Sequence, residues 1–169
     1  MQHPMQRLAL GGGCHWCTEA VFQALGGVCC VRQGFARSDP PDDTWSEAID
    51  LEFDPGRLSL DDIIAVHLAT HASTSHHKLR GKYRSAIYLP DTAQQTRAAE
   101  SLARLSTETG VDFVTRILPH RGFRESDQRF HNYFATDPDR PFCQTYIEPK
   151  LALLRQRFAN LLKEGVTPA

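Results

Sequence analysis

Three consecutive glycines, Gly11–Gly13, stand between a short apolar run at Arg7–Leu10 and a segment in which Trp16, Ala20, Val21, Ala24 and Leu25 recur at helical spacing. Glycine lets the backbone turn sharply with no Cβ in the way, so the stretch reads as strand, tight turn and helix, stopped by Gly26-Gly27. The pattern then switches repeatedly between period 2 and period 3.6. Val28–Phe35 is β-rich, and Ser46–Phe53 alternates up to the turn residues Asp54-Pro55-Gly56. Ser59 to His71 is helical with Ser59 as N-cap, Arg84–Leu89 is a strand, Thr92–Thr109 a long helix ended by Gly110, and Phe113–Leu118 a further extended piece. Pro149–Glu164 carries Leu151, Leu154, Phe158, Leu161 and Leu162 on one stripe, which predicts a terminal helix docked on the core. The order is β-α-β-β-α-β, a ferredoxin-like (split βαβ) α/β core with an extra strand and a C-terminal helix. No repeat or linker interrupts it, so residues 1–169 are expected to form a single catalytic domain and a monomer.

Charge narrows the function. The 19 basic and 20 acidic residues leave a net charge of -1 with no dominant block, so neither nucleic acid nor an anionic membrane surface is the expected partner. No apolar run approaches the roughly 20 residues of a membrane span or forms a leader-like segment before Cys14, which predicts a cytoplasmic protein. Cysteines in such a compartment are catalytic, metal-binding or buried more often than disulfide-bonded. There are five: Cys14, Cys17, Cys29, Cys30 and Cys143.

Cys14 falls where a helix beginning after Gly13 exposes free N–H groups and the positive end of its dipole, which stabilise a thiolate. It is the expected nucleophile, with His15 adding a positive charge and Cys17, one turn on, able to attack an oxidised Cys14. Cys29 and Cys30, adjacent in a strand, are expected to be one buried thiol and one bystander. Period 2 puts Glu47 on the face of Ile49, Leu51 and Phe53, where partial burial would raise a carboxyl pKa and keep a proton ready for general acid work. Tyr83, sharing a face with Ser85, Ile87 and Leu89, can present a hydroxyl donor to the same region, whereas Tyr88 reads as a core tyrosine with a satisfied hydroxyl. Taken alone, these residues also admit a thiol–disulfide oxidoreductase using Cys14 and Cys17. They admit as well a zinc site built from those cysteines and some of His15, His67, His71, His76, His77 and His131.

Five stretches carry a resemblance: GGGCHWCTEAVF (11–22), SEAIDLEFDP (46–55), KYRSAIY (82–88), FHNYF (130–134) and PFCQTYIEPKL (141–151). Along nearly its whole length the chain resembles the A-type peptide-methionine sulfoxide reductases. The resemblance implies thiol-dependent reduction of methionine S-sulfoxide, protein-bound or free, with no bound cofactor or metal. Thioredoxin, or dithiothreitol in vitro, is the implied reductant. It further implies Cys14 as nucleophile, Glu47 as acid, Tyr83 as donor to the sulfoxide oxygen, Trp16 in the methyl-binding pocket beside His15, and His131 at the rim. Cys143 is the implied resolving cysteine, ahead of Cys17. The chain departs from the family pattern at His15, where phenylalanine is usual, and at Lys78, near the place of an aspartate whose role His76, His77 or Asp127 would have to fill. It also departs at 35–45, where a family tyrosine is missing.

Overall fold

The computed structural model describes residues 3–76 and 80–163, so His77, Lys78 and Glu164 lie outside the described residues. The strands are β1 (Gln6–Gly11), β2 (Val28–Arg37), β3 (Ser46–Phe53), β4 (Ala86–Leu89), β5 (Arg116–Pro119) and β6 (Gly122–Glu125); the α-helices are α1 (His15–Gln23), α2 (Leu60–Ala69), α3 (Thr92–Thr109), α4 (Tyr133–Thr136) and α5 (Glu148–Arg157). The six strands form one sheet in the order β5-β4-β1-β3-β2-β6. β3 inserts antiparallel between β1 and β2, and β4 runs antiparallel to β1 on its other side, which is the predicted split βαβ arrangement. β5 extends it in parallel with β4 after the α3 crossover, and β6 closes the opposite edge antiparallel to β2.

The two sheet faces are unequal. Leu8, Leu10, Ile49, Leu51, Phe53, Ile87 and Leu89 pack with Val21, Phe22, Ile63, Ile64 and Leu154 into the main core, while Ala9, Ala36, Ala48, Ala86 and Tyr88 form a thin second layer. That layer ends on Asp50, a buried carboxylate paired with Arg7 and Arg32. Local signals set the helix ends. Ser59 and Asp62 make a reciprocal capping box before α2, and Gly110, at φ 69°, closes α3 in a left-handed turn. Tyr88 is fully buried and its hydroxyl accepts from Arg84 at 3.1 Å, as expected.

Four expectations are corrected. The pattern missed β6, whose four residues are partly or fully exposed and acquire strand geometry only by pairing with β2. The terminal helix is shorter and differently built: a π-helical turn at Cys143–Ile147 leads into α5, which stops at Arg157 before a 3-10 turn at Ala159–Leu161. β4 begins at Ala86, so Tyr83 lies in the approach to the strand rather than on its face. Finally, a register shift between Val28 and Cys30 makes Cys29 the extra residue of a bulge, and both Cys29 and Cys30 are exposed.

Candidate active site

β1 delivers the chain into Gly11–Gly13 and α1 starts at once, with Cys14 as its extended N-cap residue (φ -60°, ψ 126°). The turn is tight because His71 fills the space beside it: a Cβ on Gly12 would lie 2.4 Å from the His71 ring. His67, fully buried beside His71, reaches the Gly11 carbonyl through Nε2 at 2.8 Å. Arg80 ties the turn from outside, donating through one nitrogen to the carbonyls of both Gly12 and Tyr83 at 3.0 Å. An open cavity of about 620 Å³ results, lined by Gly12, Gly13, Cys14, Cys17, His71, Ala72, Arg80, Tyr83, Phe142, Tyr146 and Lys150.

The Cys14 thiol pKa is lowered. The largest cause is the Cys17 thiol, which donates to the Cys14 sulfur; the backbone N–H groups of Trp16 and Cys17 add to it, while burial and Glu47 oppose it. The helix terminus therefore acts as expected but is not the leading influence. Cys17 carries the opposite shift. As donor to Cys14, and buried, it is pushed far above the ordinary thiol range.

Glu47 reaches the same helix end from the start of β3. Its carboxyl is largely buried, and Oε1 accepts the backbone N–H of His15 at 3.3 Å, one residue from Cys14. The segment carrying Lys82 and Tyr83 runs alongside: the Glu47 N–H donates to the Lys82 carbonyl at 2.8 Å, and the Ser46 hydroxyl bridges the Lys82 carbonyl and the Arg84 N–H. Lys82 Nζ lies 3.8 Å from Glu47 Oε2, and its pKa is raised by hydrogen bonding to Tyr83. The sequence alone assigned no role to Lys82 or Arg80.

His15 does not behave as the sequence suggested. Burial lowers its pKa, so it adds no fixed positive charge; Nδ1 sits 2.7 Å from the Gly34 carbonyl and Nε2 3.4 Å from Glu47 Oε1. Trp16 is walled in rather than exposed to the cavity: it stacks on Tyr133 at 4.2 Å and meets Phe130 and Phe142 at 5.6 and 5.4 Å. The apolar wall of the cavity comes instead from Phe142 and Tyr146. They are four residues apart within PFCQTYIEPKL, with rings 4.9 Å from centroid to centroid, a spacing that could have flagged them.

The FHNYF segment is held by Glu19, whose carboxylate accepts the N–H groups of Asn132 and Tyr133 at 3.0 and 3.1 Å. Burial raises the Glu19 pKa against the pull of those donors. His131 is turned to the Ser126 carbonyl at 2.9 Å and does not line the cavity. Cys143 is fully buried at the start of the π turn, also outside the cavity lining, with its thiol donating to the Asp137 carbonyl at 3.6 Å. Asp127 is exposed, capping the 3-10 turn at Gln128–Phe130, and His76 is exposed as well. Among the described residues no three His, Cys, Asp or Glu side chains gather to hold a metal ion.

Comparison with known proteins identifies the fold and the family. The solved structure of methionine sulfoxide reductase A of Corynebacterium diphtheriae superposes with a TM-score of 0.66 at 23% identity, covering 81% of this chain and 77% of that one. Reduced Mxr1 from Saccharomyces cerevisiae superposes at 0.67 with 18% identity, covering 86% and 94%. Mxr1 in complex with Trx2 superposes at 0.59 with 16% identity, covering 76% and 87%. Curated proteins described as peptide methionine sulfoxide reductase MsrA include one from Thermus thermophilus, 33% identical over 95% of this chain and 99% of its own length. Another, from Deinococcus radiodurans, is 32% identical over 94% and 84%. The family profile described as peptide methionine sulfoxide reductase matches residues 6–162. The profile match and these relatives show that the chain belongs to the peptide methionine sulfoxide reductase family.

Proposed function

We propose that Cys14 and Glu47 carry out the family's reduction of methionine S-sulfoxide in this chain, with Cys14 as nucleophile and Glu47 as proton donor. One observation carries the assignment: the hydrogen bond from the His15 N–H to Glu47 Oε1 sets a carboxyl beside a helix N-terminus whose first side chain is an activated thiol. A sulfoxide is a poor electrophile until its oxygen is protonated, so thiolate and acid must act together. The Cys14 thiolate supplies the electron pair and Glu47 the proton. Methionine leaves with its sulfur reduced, and the substrate's oxygen remains on Cys14 as a sulfenic acid. Tyr83, on the cavity wall next to Lys82, offers its hydroxyl to the sulfoxide oxygen, and Phe142 and Tyr146 provide apolar surface for the methyl group.

A second thiol then condenses with the sulfenic acid, forming a disulfide and releasing water. Cys17 is the better placed, since it lies one helical turn from Cys14 and lines the same cavity, whereas Cys143 lies buried outside it. The elevation of the Cys17 pKa by its bond to the Cys14 sulfur is relieved once Cys14 carries oxygen. A thioredoxin-class dithiol reopens the disulfide. The reading extends to a single catalytic domain acting as a cytoplasmic monomer in oxidative stress repair. Among the described residues no helix is long and apolar enough to cross a membrane.

The test is turnover of a peptide containing methionine S-sulfoxide with dithiothreitol, against the R epimer and Cys14→Ser. Reduction of the S epimer alone, lost in Cys14→Ser and lowered at least ~100-fold in Glu47→Gln, is the expected result. Full activity in Glu47→Gln would refute the acid assignment. Peptide mapping after one equivalent of substrate without reductant should recover Cys14 linked to Cys17; linkage to Cys143 would overturn that part of the reading.

A further inference from the structure

We propose that the cavity at Cys14 selects methionine S-sulfoxide that carries a carboxylate, on its own α-carbon or on the adjoining residue, and that Lys150 receives this group; the proposal rests on the reductase reading above and names its substrate class. Two cations, Arg80 and Lys150, line the cavity, and no Asp or Glu does. Among the described residues neither cation forms an ion pair. Both are held by backbone oxygens instead. The Arg80 guanidinium donates to the carbonyls of Gly12, Ala72, Ser75 and Tyr83, which occupies all five of its N–H groups. It therefore contributes charge to the cavity and no open donor. Lys150 differs: its ammonium donates once, to the Thr70 carbonyl, and two of its three N–H groups remain for a ligand.

The neighbouring acids are engaged elsewhere. Glu148, in the first turn of α5 with Lys150, is bound to Arg155 at 2.8 Å, and Glu47 accepts the His15 N–H and lies 3.8 Å from Lys82 Nζ. His71, on the same wall, has its pKa lowered to about 4 by burial and is neutral at working pH. Two positive charges thus face one thiolate, and the lining stays net positive when Cys14 is ionised. A partly shielded site with uncompensated positive charge favours an anionic ligand. The wall also has an order. Phe142, Tyr146 and Lys150 recur every four residues and all line the cavity, so the apolar surface proposed for the methyl group continues directly into the ammonium. With the sulfoxide sulfur at Cys14, its oxygen at Tyr83 and its methyl group on the two rings, the part of the lining left for the main chain and its carboxylate is His71, Ala72, Arg80 and Lys150.

The test compares kcat/KM, with dithiothreitol as reductant, for N-acetyl-methionine S-sulfoxide against its methylamide, and for a blocked peptide in which the sulfoxide is followed by Asp against the same peptide with Asn. Lys150 is substituted rather than Arg80, because Arg80 holds the glycine turn. In the wild type the acid of at least one pair should be preferred about fivefold, the size expected of a partly exposed charge pair. Preference in the first pair assigns the carboxylate to the α-carbon; preference in the second assigns it to the neighbouring side chain. Lys150→Met should bring the ratio close to one, and Lys150→Arg, which keeps the charge, should retain it. Because each ratio is taken within one variant, any effect of the substitution on Cys17 or on folding cancels. Equal rates within both pairs in the wild type, or an undiminished preference in Lys150→Met, would overturn the proposal. If none of these compounds is reduced, the reductase reading fails instead, and binding to Cys14→Ser by titration calorimetry decides: the acids should bind about fivefold more tightly than their neutral partners, and equal affinities overturn the proposal.

Discussion

Removing the Cys17 thiol should deactivate Cys14 before any disulfide is formed. The Cys14 pKa is lowered, the Cys17 thiol being the largest influence, with the backbone N–H groups of Trp16 and Cys17 adding to it. Cys17→Ala deletes that donor and leaves both backbone donors in place. A hydrogen bond to a charged acceptor contributes about 1.5–3 kcal/mol, and S–H is a weak donor, so the lower end applies. At about 1.4 kcal/mol per pKa unit, the Cys14 pKa should rise by roughly one unit. Where Cys14 is mostly protonated, its thiolate population then falls about tenfold. The assay is the rate of iodoacetamide alkylation of Cys14 against pH, read by peptide mass spectrometry so that the other thiols do not contribute. Cys17→Ala should move the midpoint up by about one unit while the plateau at high pH changes little. Cys17→Ser, which keeps a hydroxyl donor, should move it less. An unmoved midpoint in Cys17→Ala, or equal shifts in both variants, would refute the attribution to the Cys17 donor.

Two further predictions follow from groups behind the site. Glu19→Ala removes the acceptor of the Asn132 and Tyr133 N–H groups, which are partly shielded from water, and should lower stability by about 1.5 kcal/mol in urea unfolding. It should also raise KM for a peptide substrate more than it lowers kcat, because Tyr133 supports Trp16 and Phe142. His71 has its pKa lowered to about 4, chiefly by burial, so between there and the ordinary histidine value the unfolded chain binds a proton that the folded one refuses. That contribution is complete above about pH 6.5 and lost as pH falls towards 4, on the order of 2–3 kcal/mol by pH 4.5. His67, shifted the same way, adds to the acid lability. His71→Gln should therefore lose less stability between pH 7 and 4.5 than wild type in urea titrations, and an unchanged slope would contradict the assignment.

How much was readable in the chain depended on the range of the interaction. Strand β1, the glycine turn and α1 follow from residues adjacent in sequence: apolar alternation, the missing Cβ atoms and the helical period need no partner to be recognised. The place of Cys14 at a helix start and the side of β3 on which Glu47 lies have the same local origin, and the β-α-β-β-α-β order is the sum of such segments. What the chain concealed comes from contacts between distant segments. β6 exists because β2 offers an open edge, and Cys29 and Cys30 are exposed because a bulge shifts their pairing with β3. The Cys17 thiol, one turn on in α1, is the largest influence lowering the Cys14 pKa, while Cys143, implied by resemblance as the resolving thiol, is buried in a π turn that no periodicity announces. His15 and Glu47 are 32 residues apart, and the bond from the His15 N–H to the Glu47 carboxyl depends on where β3 sets that carboxyl against the start of α1. The sequence by itself determined most of the elements and which side chains stand as candidates for the reaction. The tertiary structure decided which group holds which proton, because proton positions depend on hydrogen-bond partners and burial, and both are set by packing between segments far apart in the chain.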